Sequence, residues 1–245
     1  MNLFGVPVEA ATMNEVLDTI QDTINRRATL DIGVVNAAKI VNMHRNPDLY
    51  DAVMSSDVIY ADGAAVVKAS RLLGKPLPER IAGIDLMTRL YERGNELGYK
   101  IYCFGATEEV SLKVAERIRQ EYPGVKLVGR RNGYYEPEQE QAIAEAIAEA
   151  KPDILFVAMT SPKKEQFMAR WSDKMAVPVI HGVGGSFDVM AGKVERAPEV
   201  WQKLGLEWLY RVKQEPRRLW KRYLVTNSLF IWMLFKELVK RPFKA

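Results

Sequence analysis

The chain has 245 residues, 48% of them hydrophobic and 27% charged, with no low-complexity stretch, which excludes a disordered or fibrous protein. A single cysteine, Cys103, excludes a disulfide framework, and two widely separated histidines, His44 and His181, argue against a histidine-rich metal site. The net charge of +4 is unevenly placed: residues 211–245 carry ten Lys/Arg against Glu215 and Glu237, net +8, which leaves −4 for residues 1–210.

Along the chain, short apolar runs alternate with helical patterns, the signature of an α/β architecture. Met1–Pro7 has neither a basic region nor a long apolar run, so no secretory signal is expected. Thr12 with Glu15 three residues on, then Val16, Leu17 and Ile20, predicts a capped helix. Leu30 to Val35 reads as a buried strand, and Asn36 to His44 as a helix. Val58 to Tyr60 predicts a strand stopping at Asp62-Gly63, with a helix over Ala64 to Leu73. Lys100 to Phe104 predicts a strand holding Cys103 in the core, then a helix from the N-cap Thr107 to about Tyr122. A strand over Val125 to Val128 and the turn Asn132-Gly133 come next. The Ala- and Glu-rich segment Pro137 to Ala150 predicts a helix. Asp153 to Met159 and Val177 to His181 complete the strands. Buried strands each followed by a helix predict a mostly parallel sheet with its ligand site beyond the strand C-termini. From Pro198 the pattern is helical only, and a boundary is expected at about residue 195.

Asp62 stands where a strand stops, and a carboxylate there can take a proton from a substrate hydroxyl or cap the next helix; position alone favours the cap. Gly182-Val183-Gly184-Gly185-Ser186-Phe187-Asp188 is a glycine-rich loop after a strand, suited to letting backbone N–H groups approach a phosphate. Phe187 replaces the last glycine of a dinucleotide fingerprint, and the Gly-Lys-Ser/Thr of a P-loop is missing. A nicotinamide-dependent oxidoreductase is therefore a secondary reading. Asp-x-Asp, His-Glu-x-x-His, Cys-x-x-Cys and Gly-x-Ser-x-Gly are all absent, so the sequence offers no anchor for metal or serine-hydrolase chemistry.

Seven segments occur in order: Tyr60-Ala61-Asp62-Gly63, Pro78 to Leu86 (PERIAGIDL), Asn132-Gly133-Tyr134-Tyr135, Ser161-Pro162-Lys163-Lys164-Glu165, Gly182 to Asp188, Arg196-Ala197-Pro198, and Leu204 to Arg211 (LGLEWLYR). This string resembles the WecG/TagA/CpsF family of bacterial glycosyltransferases from about Phe4 to Arg218. The resemblance implies a Rossmann-like parallel sheet with helices on both faces, residues 1–195, and a C-terminal helical appendage, residues 196–245. It implies an inverting, metal-independent transfer of a hexose from a UDP-sugar onto a polyprenyl-diphosphate-linked sugar, with no cofactor. Asp62 matches the family's proposed base, which reverses the odds against capping. Arg80 and the amides of Gly182, Gly184, Gly185 and Ser186 would steady the departing UDP. Arg211 and Arg218 match tail arginines that complete the site. Tyr134 would stack on uracil, Asp188 would bind ribose, and Asn36 matches a residue near the acceptor. Two departures stand out: Val34-Val35-Asn36 replaces Thr-Pro-Asn, and Lys164, placed with the substrate-binding residues, stands where Gln is usual. The tail beyond Trp220 looks more like exopolysaccharide members that transfer glucose than teichoic-acid members that transfer N-acetylmannosamine.

The longest apolar stretch, Tyr223 to Phe235, would reach about 20 Å as a helix, short of the roughly 30 Å hydrocarbon core. Trp220, Tyr223, Leu224, Ile231, Leu234, Phe235 and Leu238 form a helical stripe between basic clusters, expected to lie on anionic lipid without crossing it. The expected place is peripheral, on the cytoplasmic face of the bacterial inner membrane. The charge comes with no nucleic-acid-binding motif, so nucleic acid is not an expected partner. Homo-oligomerisation is left open, as is a non-catalytic membrane adaptor that binds nucleotide-sugar.

Overall fold

The computed structural model describes residues 1–240; Arg241 and Lys244 of the basic tail lie outside the described residues. A small antiparallel pair, β1 (Asn2–Leu3) and β2 (Val6–Pro7), leads into α1 (Met13–Arg26). The Thr12–Glu15 capping box is formed in full. Then follow β3 (Leu30–Val35), α2 (Ala37–Met43), α3 (Pro47–Met54), β4 (Val58–Ala61), α4 (Ala64–Leu72) and α5 (Gly83–Leu97). The second half holds β5 (Lys100–Gly105), α6 (Glu108–Glu121), β6 (Lys126–Arg131), α7 (Glu140–Ala150), β7 (Ile154–Ala158), α8 (Lys163–Met175) and β8 (Val179–Gly182). A short α9 (Ser186–Met190) precedes α10 (Glu199–Leu204), α11 (Glu207–Gln214) and α12 (Pro216–Val239).

Six strands form one parallel sheet in the order β4-β3-β8-β7-β5-β6. Each half of the chain builds outward from a central strand, and β7 and β8 return to fill the middle. The alternation of strand side chains decides which helices cover which face. Ile154 and Phe156 point into the cluster shared with α1, α5 and α6. Leu155 and Val157 point to the other side, into the cluster covered by α7 and α8. On that same side, Val35, Ile59 and Ala61 meet α2, α3 and α4. Helices therefore cover both faces, as the resemblance implied, and Cys103 is fully buried.

Strand limits move slightly from the expected ones: β6 continues to Arg131, and the Pro137–Ala150 segment opens with one 3₁₀ turn, Pro137–Gln139. The C-terminal appendage is more attached than its composition suggested. Leu219, Thr226 and Phe230 of α12 are buried, and the Phe230 ring lies 5.0 Å from that of Phe4. Met233 and Leu234 pack on the same cluster, so Leu234 belongs to the docked face of α12 rather than the outward stripe. Trp220, Leu224, Ile231, Trp232 and Phe235 remain exposed. Among the described residues no helix is long and apolar enough to cross a membrane.

Candidate active site

The C-terminal ends of β4, β3, β8, β7 and β5 converge on one edge of the sheet, where α/β proteins place their ligands. Asp62 directly follows β4. It does not cap α4: Gly63 occupies that position and no side chain caps the helix. Asp62 Oδ1 instead accepts the amide of Gly83, the first residue of α5, at 3.0 Å. The positive end of a fifteen-residue helix thus faces the carboxylate. Asn36 follows β3, and its Oδ1 caps α2 through Lys39 N at 3.0 Å, while its Nδ2 reaches Asp62 Oδ2 at 3.4 Å. Oδ2 is thus the less engaged oxygen of a half-buried carboxylate, free to accept a substrate hydroxyl.

Arg80 lies in the loop between α4 and α5. Its guanidinium holds Glu207 at 2.7 Å and Asp85 at 3.4 Å, and Asp85 also binds Arg196. Glu207, Asp62 and Asp85 together raise the Arg80 pKa against the opposing effect of burial. Arg80 therefore stands beside Asp62 as a permanent cation, joined to the appendage through α11.

The glycine loop after β8 is less open to phosphate than its sequence suggested. Val183 and Gly184 both donate to Val157 O, at 2.9 and 3.3 Å, and Ser186 N donates to Val183 O. The Ser186 hydroxyl also bonds Val183 O, and the side chain is buried. Gly182 N–H lies within the sheet. Among the described residues, the N–H groups of Gly185, Phe187 and Asp188 in this segment have no backbone acceptor, and Gly185 is the exposed residue of the three. Because α9 has five residues and the loop amides bond inward, the dinucleotide cradle required by the oxidoreductase reading is not built. Asp188 stands beside Gly185, half-exposed, 3.6 Å from Lys193.

Lys164 also differs from its expected place. A Cβ on Gly182 would lie 2.7 Å from Lys164 Cδ, so the lysine stem runs across the end of β8 because residue 182 has no side chain. Its amine is buried on Glu165 Oε1 at 2.5 Å, and Lys39 Nζ reaches the same oxygen at 2.8 Å. Burial and Lys39 pull the Lys164 pKa down to about 8, while the two amines hold Glu165 at about 2. Lys164 is thus an internal support for the cleft floor.

Tyr134 follows β6, five strands from β4 and about 24 Å across the sheet. Its loop folds back: Gly133 N donates to Ala106 O at 2.9 Å, and Lys163 Nζ holds Gly133 O at 3.3 Å. Close contact continues at Gly105, where a Cβ would fall 2.3 Å from Ala158 O. Tyr134 is left 73% exposed on the rim, open for a planar group to stack. The structure does not bring the tail arginines into this cleft. Arg211 is exposed on α11, and Arg218 is exposed on α12 and paired with Glu215; among the described residues neither bonds a cleft side chain.

Asp62, Asn36, Arg80, Asp188 and the Gly182 loop therefore share one edge, with Tyr134 at its far rim. Residues not singled out from sequence are Gly83, Lys39, Glu165, Asp85, Glu207 and His181, fully buried at the end of β8. Among the described residues, no group of three or more His, Cys, Asp or Glu is placed to hold a metal ion.

A family model described as glycosyl transferase WecG/TagA/CpsF matches residues 1–244. The chain is 40% identical over 176 residues to an N-acetylglucosaminyldiphosphoundecaprenol N-acetyl-beta-D-mannosaminyltransferase of Bacillus spizizenii, covering 71% of this chain and 67% of that protein. It is 33% identical over 242 residues to a Bacillus subtilis protein of the same name, covering 98% and 93%. With the parallel sheet and the ordered motifs at its C-terminal edge, these matches place the chain in the WecG/TagA/CpsF family of glycosyltransferases.

Proposed function

We propose that the protein transfers an N-acetylmannosamine-type sugar from UDP onto an N-acetylglucosamine carried by a polyprenyl diphosphate, with inversion at the anomeric carbon. The observation that carries the reading is the half-buried Asp62 carboxylate at the end of β4, held at Oδ1 by Gly83 N–H with Oδ2 engaged only by the longer Asn36 contact. As the acceptor hydroxyl oxygen attacks the anomeric carbon, Asp62 Oδ2 takes its proton. The bond from that carbon to the diphosphate breaks, and UDP leaves with the electron pair. Arg80 and the Gly185 N–H supply positive charge to the leaving group without a metal ion or other cofactor. Tyr134 stacks on uracil, and Asp188 accepts ribose hydroxyls. The printed names of the two relatives favour N-acetylmannosamine over the glucose suggested by the tail.

The same reading places the protein peripherally on the cytoplasmic face of the bacterial inner membrane. Support comes from the exposed Leu224, Ile231, Trp232 and Phe235, with Arg217, Lys221 and Arg222 on one side and Lys236 and Lys240 on the other. Each basic residue near an anionic surface contributes about 1 kcal/mol. Arg211 and Arg218 project from this exposed appendage, where they meet the acceptor diphosphate once the lipid is engaged.

Turnover of Asp62→Asn with UDP-N-acetylmannosamine and a prenyl-diphosphate N-acetylglucosamine acceptor tests the assignment. A loss of about 100-fold or more in kcat is expected from removal of a general base. Wild-type turnover would overturn the role of Asp62, and a screen of other UDP-hexoses separates a wrong base from a wrong sugar.

A further inference from the structure

Gly83 is held from two sides. Its N–H donates to Asp62 Oδ1 at 3.0 Å, and its carbonyl oxygen lies 3.2 Å from His181 Nε2. His181 is fully buried at the end of β8, immediately before the glycine loop, with its ring edge-on to Phe156 at 6.2 Å. Its Nδ1 has no hydrogen-bond partner among the described residues. Burial holds the ring neutral against the backbone groups of Gly83 and Ile32, which favour its proton; in the tautomer with that proton on Nε2, the Gly83 carbonyl accepts it.

Backbone bonds hold the chain on either side, Ile81 N–H to Ala61 O and Leu86 N–H to Ala82 O, both at 2.9 Å, but no side chain other than Asp62 and His181 bonds Gly83 itself. Gly83 has no Cβ to restrict its dihedrals, and the N-cap of α5, Ala82, provides no side-chain bond. The donated and accepted bonds lie on successive peptide planes of one residue; the first plane is also held by Leu86 N–H on Ala82 O, and the His181 bond fixes the second, limiting the rocking of the Gly83 N–H. That N–H is the firm anchor of the Asp62 carboxylate, because the Asn36 contact is longer, at 3.4 Å.

We propose that His181 is a positioning residue for the transfer, acting through the Gly83 peptide to orient the Asp62 carboxylate toward the acceptor hydroxyl. The inference rests on the reading of Asp62 as the base. His181 makes no hydrogen bond to Asp62 itself and is fully buried within the sheet. It sits on the strand that leads into residues 182–186, so the same ring ties the donor loop to the side of the sheet that carries the base.

The test is steady-state transfer by the full chain, using UDP-N-acetylmannosamine and a prenyl-diphosphate N-acetylglucosamine acceptor. His181→Gln places an amide N–H near the position of Nε2, whereas His181→Asn is too short to reach Gly83 and His181→Phe keeps the ring without a donor. His181→Phe and His181→Asn are expected to lower kcat roughly 30- to 100-fold with both KM values within about twofold, as for a misplaced catalytic group. His181→Gln should recover kcat to within about fivefold of wild type. In an Asp62→Ala background, His181→Phe should cost less than about twofold, because the group it positions is gone. The inference is overturned if His181→Gln is as impaired as His181→Asn at equal melting temperature, or if the His181→Phe loss persists in the Asp62→Ala background. If His181→Phe does not fold, the Gln and Asn pair decides alone. An Asp62→Ala protein with wild-type turnover would instead remove the underlying reading of the base, whatever the His181 variants do.

Discussion

Arg80 Nη1 lies 2.7 Å from Glu207 Oε2, so the loop beside the candidate base is tied directly to the C-terminal helices. Asp85 completes the knot by binding both Arg80 and Arg196. The planar guanidinium serves two carboxylates at once, a task a single ammonium point charge performs poorly. Arg80→Ala is expected to lower kcat/KM for transfer by about 100-fold, and Arg80→Lys should fail to restore it. Glu207→Ala should cost only about 1 kcal/mol of stability, since the pair is partly exposed. Steady-state kinetics and urea unfolding check these outcomes; a fully active Arg80→Lys would refute the two-carboxylate argument.

Separate faces of α12 dock on the body and meet solvent. Phe230, 4% exposed, packs on Phe4, while Ile231 and Phe235 are 65% and 55% exposed. Phe230→Ala should destabilise the docked helix by roughly 3 kcal/mol, as truncation of a buried aromatic does. Limited proteolysis in the α11–α12 region should accelerate accordingly. Ile231→Glu with Phe235→Glu should leave the melting temperature within about 2 °C of wild type, because the residues are already in water, yet abolish flotation with anionic liposomes. Flotation that survives the double substitution would exclude this face as the lipid contact.

How much of this was legible in the sequence depends on the range of the signal. Capping at Thr12 and Thr107, the buried strand over residues 30–35 and the solitary core Cys103 are written in neighbouring residues, and the structure reproduces them. The order of the sheet is not local: nothing near Val179 says that β8 lies between β3 and β7. The motif string located Asp62, Asn36, Arg80 and the Gly182 loop at one edge. Which of the loop's amides stay open is not local, because only the fold shows Val157 O taking two of them. The burial of Lys164 is hidden for a similar reason, since it depends on the missing side chain at Gly182 and on Glu165 turning inward. The bond from His181 to Gly83, 98 residues away, leaves no trace in local sequence.

Glu165 carries two amines on one buried oxygen, Lys39 at 2.8 Å and Lys164 at 2.5 Å, while its other oxygen has no partner among the described residues. Removing the shared anion strands two cations, so Glu165→Gln should destabilise the protein by about 3–5 kcal/mol. Lys164→Gln leaves the Lys39–Glu165 pair standing and should cost less than half as much. Urea unfolding of the two variants gives the comparison. Similar losses in both would show that the cluster is held by Lys164 rather than by the carboxylate.

Stability against pH carries two opposed contributions from the middle of the sheet. Burial lowers the His181 pKa from 6.5 to about 4, so the unfolded chain binds more protons between those values, and His181 loses stability for the fold as pH falls from 6.5 to 4. Burial raises the Asp31 pKa from 3.8 to about 6, helped by the neighbouring Asp57 and Asp173 charges. There the folded chain binds more protons, so Asp31 gains stability for the fold as pH falls from 6 to 3.8. Each gap is worth about 3 kcal/mol, which nearly cancels the other. Wild-type stability should therefore be almost flat between about pH 6.5 and 4.5, dropping below that as Glu165, held at about 2, begins to lose its ionised form in the unfolded chain. Asp31→Asn removes one side of the balance and should fall by about 3 kcal/mol over the same range. Guanidinium unfolding at pH 6.5, 5.2 and 4 separates the cases; an Asp31→Asn profile as flat as wild type would show that His181 does not titrate against the fold.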